Sequence, residues 1–245
     1  METYGLIGQS LSHSFSAEYF NQKFITEKIK AQYLNFPLKT IADFNQLLKE
    51  HPNLRGINVT IPYKTAIIPF LLQLDDEAKC INAVNCISFN AQQELIGHNT
   101  DYIGFWRSIA PVIQHRKNQK ALILGNGGAA KAVKYAFDIN NIEYTIVNRT
   151  QSSTSIQYNQ LNEALIHEHQ IIVNTTPLGT YPNIEETPAI PFEFITDQHI
   201  LYDLIYNPST SSFLKKGLEK NAVVKNGYEM LLLQAEAAWE IWNKK

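Results

Sequence analysis

Ala121-Leu122-Ile123-Leu124-Gly125-Asn126-Gly127-Gly128-Ala129-Ala130 decides how this chain is read. Four apolar residues form a short buried strand that runs straight into a glycine-rich turn, and Lys131–Asn140 follow with helical patterning. Gly125, Gly127 and Ala130 have the spacing G-x-G-x-x-A. The first glycine permits the tight turn, the second lets backbone approach a pyrophosphate, and the small third residue lets helix and strand pack closely. The helix N-terminus then offers free N–H groups to the anion. In this strand–turn–helix context the pattern points to a dinucleotide site; a glycine-rich αβ turn without a ligand is the alternative. The next strand, Tyr144–Val147, ends on Asn148-Arg149-Thr150. An acidic residue about 20 positions on usually holds a ribose 2′-hydroxyl. Here a planar cation and a hydroxyl stand instead, as a 2′-phosphate requires. An exposed strand-end arginine is the other reading of Arg149.

Outward from this unit, strands at Ile171–Asn174, Ile200–Leu204 and Ala222–Lys225 predict a parallel, doubly wound sheet. Upstream, strand patterns at Thr3–Ile7, Tyr33–Phe36 and Gly56–Ile61 alternate with helical ones at Glu18–Lys28, Ile41–Glu50 (begun near Asp43) and Lys64–Gln73. Ile81–Phe89 and Glu94–Gly97 read as a strand pair turning through Asn90–Gln93. This makes a first α/β lobe of about a hundred residues, on the usual scale of a domain. An Asp101–Ala110 helix and a linker around Gln114–Lys120 lead to the second lobe. The last helix, Tyr228–Asn243, carries an apolar stripe of Met230, Leu233, Ala237 and Ile241. Gln234 falls within it, and a polar amide on a core-facing line needs hydrogen-bond partners from protein or ligand.

The bulk composition excludes several classes. The 245 residues are 44% hydrophobic and 18% charged with a net charge of −2, an ordinary globular balance without the basic stripe of a nucleic-acid binder. Met1–Gly8 lacks the basic and apolar segments of a signal peptide, and no apolar run approaches the ~18 residues of a membrane span. Cys80 and Cys86 form neither a CxxC pair nor a metal spacing, so a reduced cytoplasmic protein without metal is expected. His167 and His169, an HxH at the edge of an apolar strand, have no third ligand in view and read as structural or exposed.

Four further clusters are rich in polar groups: Ser12-His13-Ser14-Phe15-Ser16; Asn58-Val59-Thr60-Ile61-Pro62-Tyr63-Lys64; Ala83-Val84-Asn85 with Asn99-Thr100-Asp101; and Asn226-Gly227 with Met230-Leu231 and Gln234. Singly they have plain structural readings. Ser14 and Ser16 could cap the first helix, Asp101 the helix at Tyr102, and Lys64 could be a solvated first-turn lysine. Together they offer hydroxyls, amides, one lysine and one carboxylate, a set suited to a polyhydroxylated small substrate.

In this order, joined by the glycine loop, Asn-Arg-Thr, Asn174-Thr175-Thr176-Pro177 and Asp203-Leu204-Ile205-Tyr206-x-Pro208, the motifs closely resemble the shikimate dehydrogenase family from Tyr4-Gly5-Leu6-Ile7-Gly8 to Gln234. The resemblance implies reversible NADPH-dependent reduction of 3-dehydroshikimate to shikimate, in chorismate and aromatic amino-acid biosynthesis. It implies Lys64 and Asp101 as the catalytic pair, with Asp101 also meeting the substrate beside Ser14, Ser16, Thr60, Asn85, Tyr206 and Gln234. NADP would meet Gly125, Asn126, Gly127, Gly128, Ala129, Asn148, Arg149, Thr150, Leu204 and Gly227, and Asp76 as an acid carried over from the family. The implied fold is α/β: a substrate domain of residues 1–101 and 226–245, to which the last helix returns, and a Rossmann-like NADP domain of residues 102–225. A monomer or homodimer is expected, with no nucleic-acid or membrane partner.

Departures from the family pattern are Ala17 for a proline, Cys86 for a threonine, Asn126 for an alanine, and Ser153 where some relatives carry a second arginine near the 2′-phosphate. As a ketone accepts hydride, Lys64 would stabilise the developing alkoxide and exchange the proton, and Asp101 would orient lysine and hydroxyl. A quinate-preferring relative is the nearest alternative, and an idle NADP-binding regulator is the alternative of another class.

Overall fold

Apolar and β-branched runs set two sheets, each in its own compact unit. The computed structural model describes residues 1–11, 14–115, 119–150 and 152–244. One unit comprises Met1–Thr100 with Ala235–Lys245, the other Asp101–Gln234.

The first unit contains β1 (Glu2–Gly8), α1 (Phe15–Thr26), β2 (Ala31–Pro37), α2 (Phe44–Glu50), β3 (Leu54–Val59), α3 (Tyr63–Ala66), β4 (Gln73–Leu74), α4 (Asp76–Ile81), β5 (Cys86–Phe89) and β6 (Leu95–His98). Its sheet runs β2-β1-β3-β5-β6-β4. β1 pairs in parallel with β2 and β3, while β3–β5 and β5–β6 are antiparallel.

Two expectations are corrected here. The helix expected over Lys64–Gln73 ends at Ala66, and a separate 3₁₀ turn holds Ile68–Phe70. Pro69 has no N–H to donate and stands in the first positions of that 3₁₀ turn, where no intrahelical donor is needed. The strand expected to begin at Ile81 begins at Cys86, because Asp75 accepts a hydrogen bond from Ala78 N at 2.7 Å and caps α4, which takes Ile81 as its last residue.

The second unit contains α5 (Asp101–Ile113), β7 (Lys120–Leu124), α6 (Gly128–Ile139), β8 (Glu143–Asn148), β9 (Ser155–Gln157), α7 (Glu163–Glu168), β10 (Ile171–Asn174), β11 (Ile200–Asp203), α8 (Ser212–Leu218) and β12 (Val223–Lys225). α9 (Tyr228–Asn243) begins in this unit and ends in the first. The sheet order is β12-β11-β10-β7-β8-β9 with every ladder parallel, the doubly wound arrangement. Its central strands β7, β10 and β11 are buried almost throughout, as strands of a parallel sheet covered by helices must be. Residues 116–118 of the expected linker lie outside the described residues. α5 continues through Pro111 to Ile113, past its expected end at Ala110. His167 and His169 belong to the end of α7 rather than to a strand edge. His169 is buried between the Leu165 carbonyl, 2.7 Å from Nδ1, and the Thr145 hydroxyl, 3.0 Å from Nε2.

α9 serves both cores with different turns. Met230 joins Phe105, Phe137 and Tyr202 in the second unit. Ala235, Trp239 and Trp242 join Tyr4, Phe20, Phe24 and Tyr33 in the first, where the Trp242 indole donates to the Ile87 carbonyl at 3.0 Å. Gly56 makes room for that indole, because any Cβ there would collide with it. Among the described residues no helix is long and apolar enough to cross a membrane.

Candidate active site

In the second unit the strand order reverses between β7 and β10, and ligands of open α/β sheets bind outside the carboxyl ends of strands at such a switch point. There Gly125 N donates to the Val147 carbonyl at 2.8 Å, and the backbone takes φ +102°, which favours glycine. Gly127 is the N-cap of α6 at φ −85°, a conformation open to any residue. A Cβ added at Gly127 or Gly128 would meet no protein atom within 4 Å. Packing inside the protein therefore does not demand these two glycines. Asn126 accepts a hydrogen bond from Lys134 Nζ at 3.1 Å, so the residue that departs from the family pattern is tied to the second turn of α6.

A cavity of about 530 Å³ opens at this point, within the usual size of a small-molecule site. Gly125, Asn126 and Gly127 line one side, Asn148 and Arg149 the second-strand side, and Thr175 to Leu178 the opposite wall. That wall is braced from beneath. Asn174 Nδ2 donates to Asp203 Oδ1 at 3.0 Å, and the Thr176 hydroxyl donates to Asn174 Oδ1 at 2.7 Å. Asp203 also accepts from Ile205 N at 3.1 Å and from the Ser211 hydroxyl. Burial pushes its carboxyl from 3.8 up to about 6, against the lowering effect of those three donors. Of the other expected nucleotide contacts, Ala129 follows in the first turn of α6 and Thr150 is exposed beside Arg149. Leu204 and Gly227 are neighbours, a Cβ at Gly227 being blocked by the Leu204 carbonyl.

Of the polar residues expected to hold substrate, the first unit contains Ser14, Ser16, Thr60 and Asn85. Ser14 caps α1, accepting from Ala17 N at 3.2 Å. Ser16 is half-buried next to the Tyr33 hydroxyl, and burial holds that phenol well above its ordinary range. Tyr33 donates to Asn58 Oδ1 at 2.8 Å, and Asn58 Nδ2 donates to the Asn85 carbonyl at 3.1 Å. Asn85 Oδ1 in turn accepts from Thr100 N at 2.6 Å. One chain of buried hydrogen bonds thus runs from Tyr33 in β2 across the sheet to the residue before Asp101, and it positions Asn58 and Asn85 of the Asn-Val-Thr and Ala-Val-Asn motifs. Thr60 is half-buried at the end of β3, its N–H donating to the Ile7 carbonyl at 2.9 Å. Lys64 is half-buried in α3, and its carbonyl accepts from Val84 N at 2.7 Å. Ser12 and His13 lie outside the described residues.

Asp76 stands apart from this network, with its side chain 93% exposed and paired with Lys79 at 2.9 Å. Its neighbour Asp75 is the engaged acid, 2.6 Å from His98 Nδ1, while His98 Nε2 lies 2.8 Å from the Ser88 hydroxyl. In the second unit Asp101 is buried as the first residue of α5, and Tyr206 is 39% exposed. Gln234 is buried and donates to the Leu231 carbonyl at 2.9 Å. A side chain at Gly104 would run into the Gln234 backbone.

The sequence profile of the shikimate dehydrogenase substrate binding domain matches residues 6–87. An NADP(+) shikimate dehydrogenase of Clostridium beijerinckii is 39% identical over 256 aligned positions, covering 100% of this chain and 93% of the relative. The chain belongs to the shikimate dehydrogenase family. The crystal structure of the Aquifex aeolicus shikimate dehydrogenase superposes with a TM-score of 0.88 at 33% identity, over 99% of this chain and 92% of that one. The Listeria monocytogenes enzyme, solved in complex with shikimate and NAD, gives 0.89 at 27% identity, over 100% and 92%. Within the shikimate dehydrogenase frame, sequence reading missed Tyr33 and Tyr158. Tyr33 sits in a strand pattern that shows no chemistry. Tyr158 lies in a three-residue 3₁₀ turn too short for any periodicity, yet it lines the glycine-loop cavity.

Proposed function

We propose that this chain is an NADP-dependent shikimate dehydrogenase that interconverts 3-dehydroshikimate and shikimate in chorismate and aromatic amino-acid biosynthesis. The observation that carries the reading is the pair Gly127 and Gly128, whose missing side chains leave space that no protein atom fills, at the mouth of a cavity that also presents Arg149. An unbranched backbone beside a helix N-terminus suits a pyrophosphate, and an exposed guanidinium suits a 2′-phosphate. When bound, NADPH supplies the hydride that reduces the ring ketone. Gly125 to Ala129 would hold its pyrophosphate and Asn148 to Thr150 its adenosine end, and Leu204 and Gly227 would also meet it. Asp76 is retained as a cofactor contact on family likeness alone.

Lys64 and Asp101 form the proposed catalytic pair. Lys64 gives the alkoxide a positive neighbour and a proton as charge develops, a contact worth more in the transition state than in the ground state. Asp101 orients that ammonium and accepts a substrate hydroxyl. Ser14, Ser16, Thr60, Asn85, Tyr206 and Gln234 hold the carboxylate and hydroxyls of the ring. Buried bonds already position Asn85, which limits the ordering cost of binding. The domains carrying these roles are residues 1–101 with 226–245 for substrate and 102–225 for nucleotide. The enzyme works in the cytoplasm as a monomer or homodimer, without nucleic-acid or membrane partners.

The test is initial-rate reduction of NADP and NAD with shikimate and, separately, with quinate. Shikimate with NADP should be the best pair. Equal or faster turnover of quinate would move the assignment to a quinate enzyme, and no turnover of either would leave a nucleotide-binding regulator.

A further inference from the structure

Tyr158 lines the glycine-loop cavity from a position that no family motif covers. It opens the 3₁₀ turn Tyr158–Gln160, directly after β9. β9 pairs in parallel with β8, with Asn148 opposite Gln157, so the next two positions, Arg149 and Tyr158, leave the end of the ladder side by side. Two further bonds hold this register: Gln157 Nε2 donates to the Arg149 carbonyl at 3.3 Å, and Gln157 N donates to Gln160 Oε1 at 2.7 Å. The Tyr158 ring packs, partly buried, against the second unit's core. Among the described residues that hydroxyl has no hydrogen-bond partner, and the Arg149 guanidinium has no ion pair. Burial raises the phenol while the nearby Arg149 charge lowers it, so the hydroxyl stays protonated and within the field of the cation.

A neutral hydroxyl donor and an unpaired guanidinium at one corner of a nucleotide cavity are complementary to a phosphate dianion, which accepts several hydrogen bonds and carries the opposite charge. From this we infer that Tyr158 is a second determinant of 2′-phosphate recognition, its hydroxyl donating to the same phosphate that Arg149 holds, in a chain where Ser153 offers no second cation. The inference rests on the nucleotide reading of the cavity. It makes preference for NADP the joint work of one charge and one phenol.

Titration of the full chain with two probes separates the possibilities. Adenosine 2′,5′-bisphosphate carries the 2′-phosphate and 5′-AMP lacks it. Tyr158→Phe keeps the ring, and with it the packing. The substitution should weaken the bisphosphate about tenfold, the scale of one hydrogen bond to a charged group, and leave 5′-AMP unchanged. Unchanged binding of both probes, or an equal loss of both, would overturn the role of Tyr158. Because 5′-AMP binding reports an intact cavity, a folding defect shows as the equal loss. If the unsubstituted chain itself does not prefer the bisphosphate, the nucleotide reading fails with it; if it does prefer it and Tyr158→Phe keeps that ratio, only the tyrosine is at fault.

Discussion

Alanine substitutions at Gly125 and at Gly127 separate what the fold requires of the glycine loop from what a ligand requires. At Gly125 a methyl group would be forced onto φ +102° and would lie 2.9 Å from Thr175 Oγ1 and 3.0 Å from Thr176 Cγ2. Backbone strain in such a region costs about 1–3 kcal/mol. For a chain of this length each kcal/mol lowers Tm by about 2–4 °C. At Gly127 the backbone is already in a region open to alanine and the methyl group meets nothing. Two small opposing effects remain there. Restricting the unfolded chain stabilises by about 0.4–1 kcal/mol, and alanine is a poorer N-cap than glycine by a similar amount. Gly127→Ala should therefore leave Tm within about 3 °C of the parent, while its methyl group occupies the path of the pyrophosphate. Overpacking of a close contact costs about 1–3 kcal/mol, a loss of NADP affinity of roughly 5- to 150-fold. Differential scanning fluorimetry and NADPH fluorescence titration on the same preparations give both numbers. If Gly127→Ala melts early and still binds NADP normally, the open space at that glycine belongs to the fold and the nucleotide reading loses its main support.

Lys64→Ala should lower kcat by at least roughly 10²-fold with a small change in KM; Asp101→Asn should lower kcat and raise KM more, and the double variant should be little worse than Lys64→Ala. Near-normal kcat in folded Lys64→Ala would refute the catalytic pair. Arg149→Ala should weaken NADP by about tenfold, the lower end of the range for a charge-assisted contact, with NAD binding nearly unchanged; a parallel loss for both cofactors would make Arg149 a structural residue. Asp203 binds its proton more tightly folded than unfolded, so its contribution to stability falls as pH rises from about 4 to about 6 and is constant above. A displacement from 3.8 to about 6 corresponds to about 3 kcal/mol at full ionisation. The stability difference between the parent and Asp203→Asn should shift by up to that amount across the window in urea unfolding, and a pH-independent difference would refute it.

How far the sequence could be read depended on the length scale of each feature. The glycine loop was legible because one local segment, from Ala121 to Asn140, contains the strand, the turn and the helix that together define it. The last helix was legible for the same reason, its full extent from Tyr228 to Asn243 following from an uninterrupted pattern. α4 was missed because it has six residues and its stop signal, Asn82 at φ +53°, is one residue whose left-handed conformation sequence alone does not announce. The chain of bonds through Tyr33, Asn58, Asn85 and Thr100 joins residues 15 to 27 positions apart. Motifs placed Asn58 and Asn85 at a site, but the partner of each is set by strand pairing, which no local pattern encodes. Asp76 and Asp75 show the same limit: adjacent acids in sequence, one almost wholly in solvent and the other holding a histidine.

α9 has a consequence for the order in which the chain can be completed. The second unit draws its residues from one continuous stretch, so everything it needs has been synthesised once Gln234 has emerged. The first unit has to wait. Tyr4, Phe20 and Phe24 remain without Trp239 and Trp242 until those two residues have been made, and Tyr19 meets Glu236 only across 217 positions. During translation the amino-terminal strands therefore carry an uncovered aromatic face for as long as the second unit takes to be made, the kind of surface that chaperones bind and that invites aggregation. The unit made first is the one finished last.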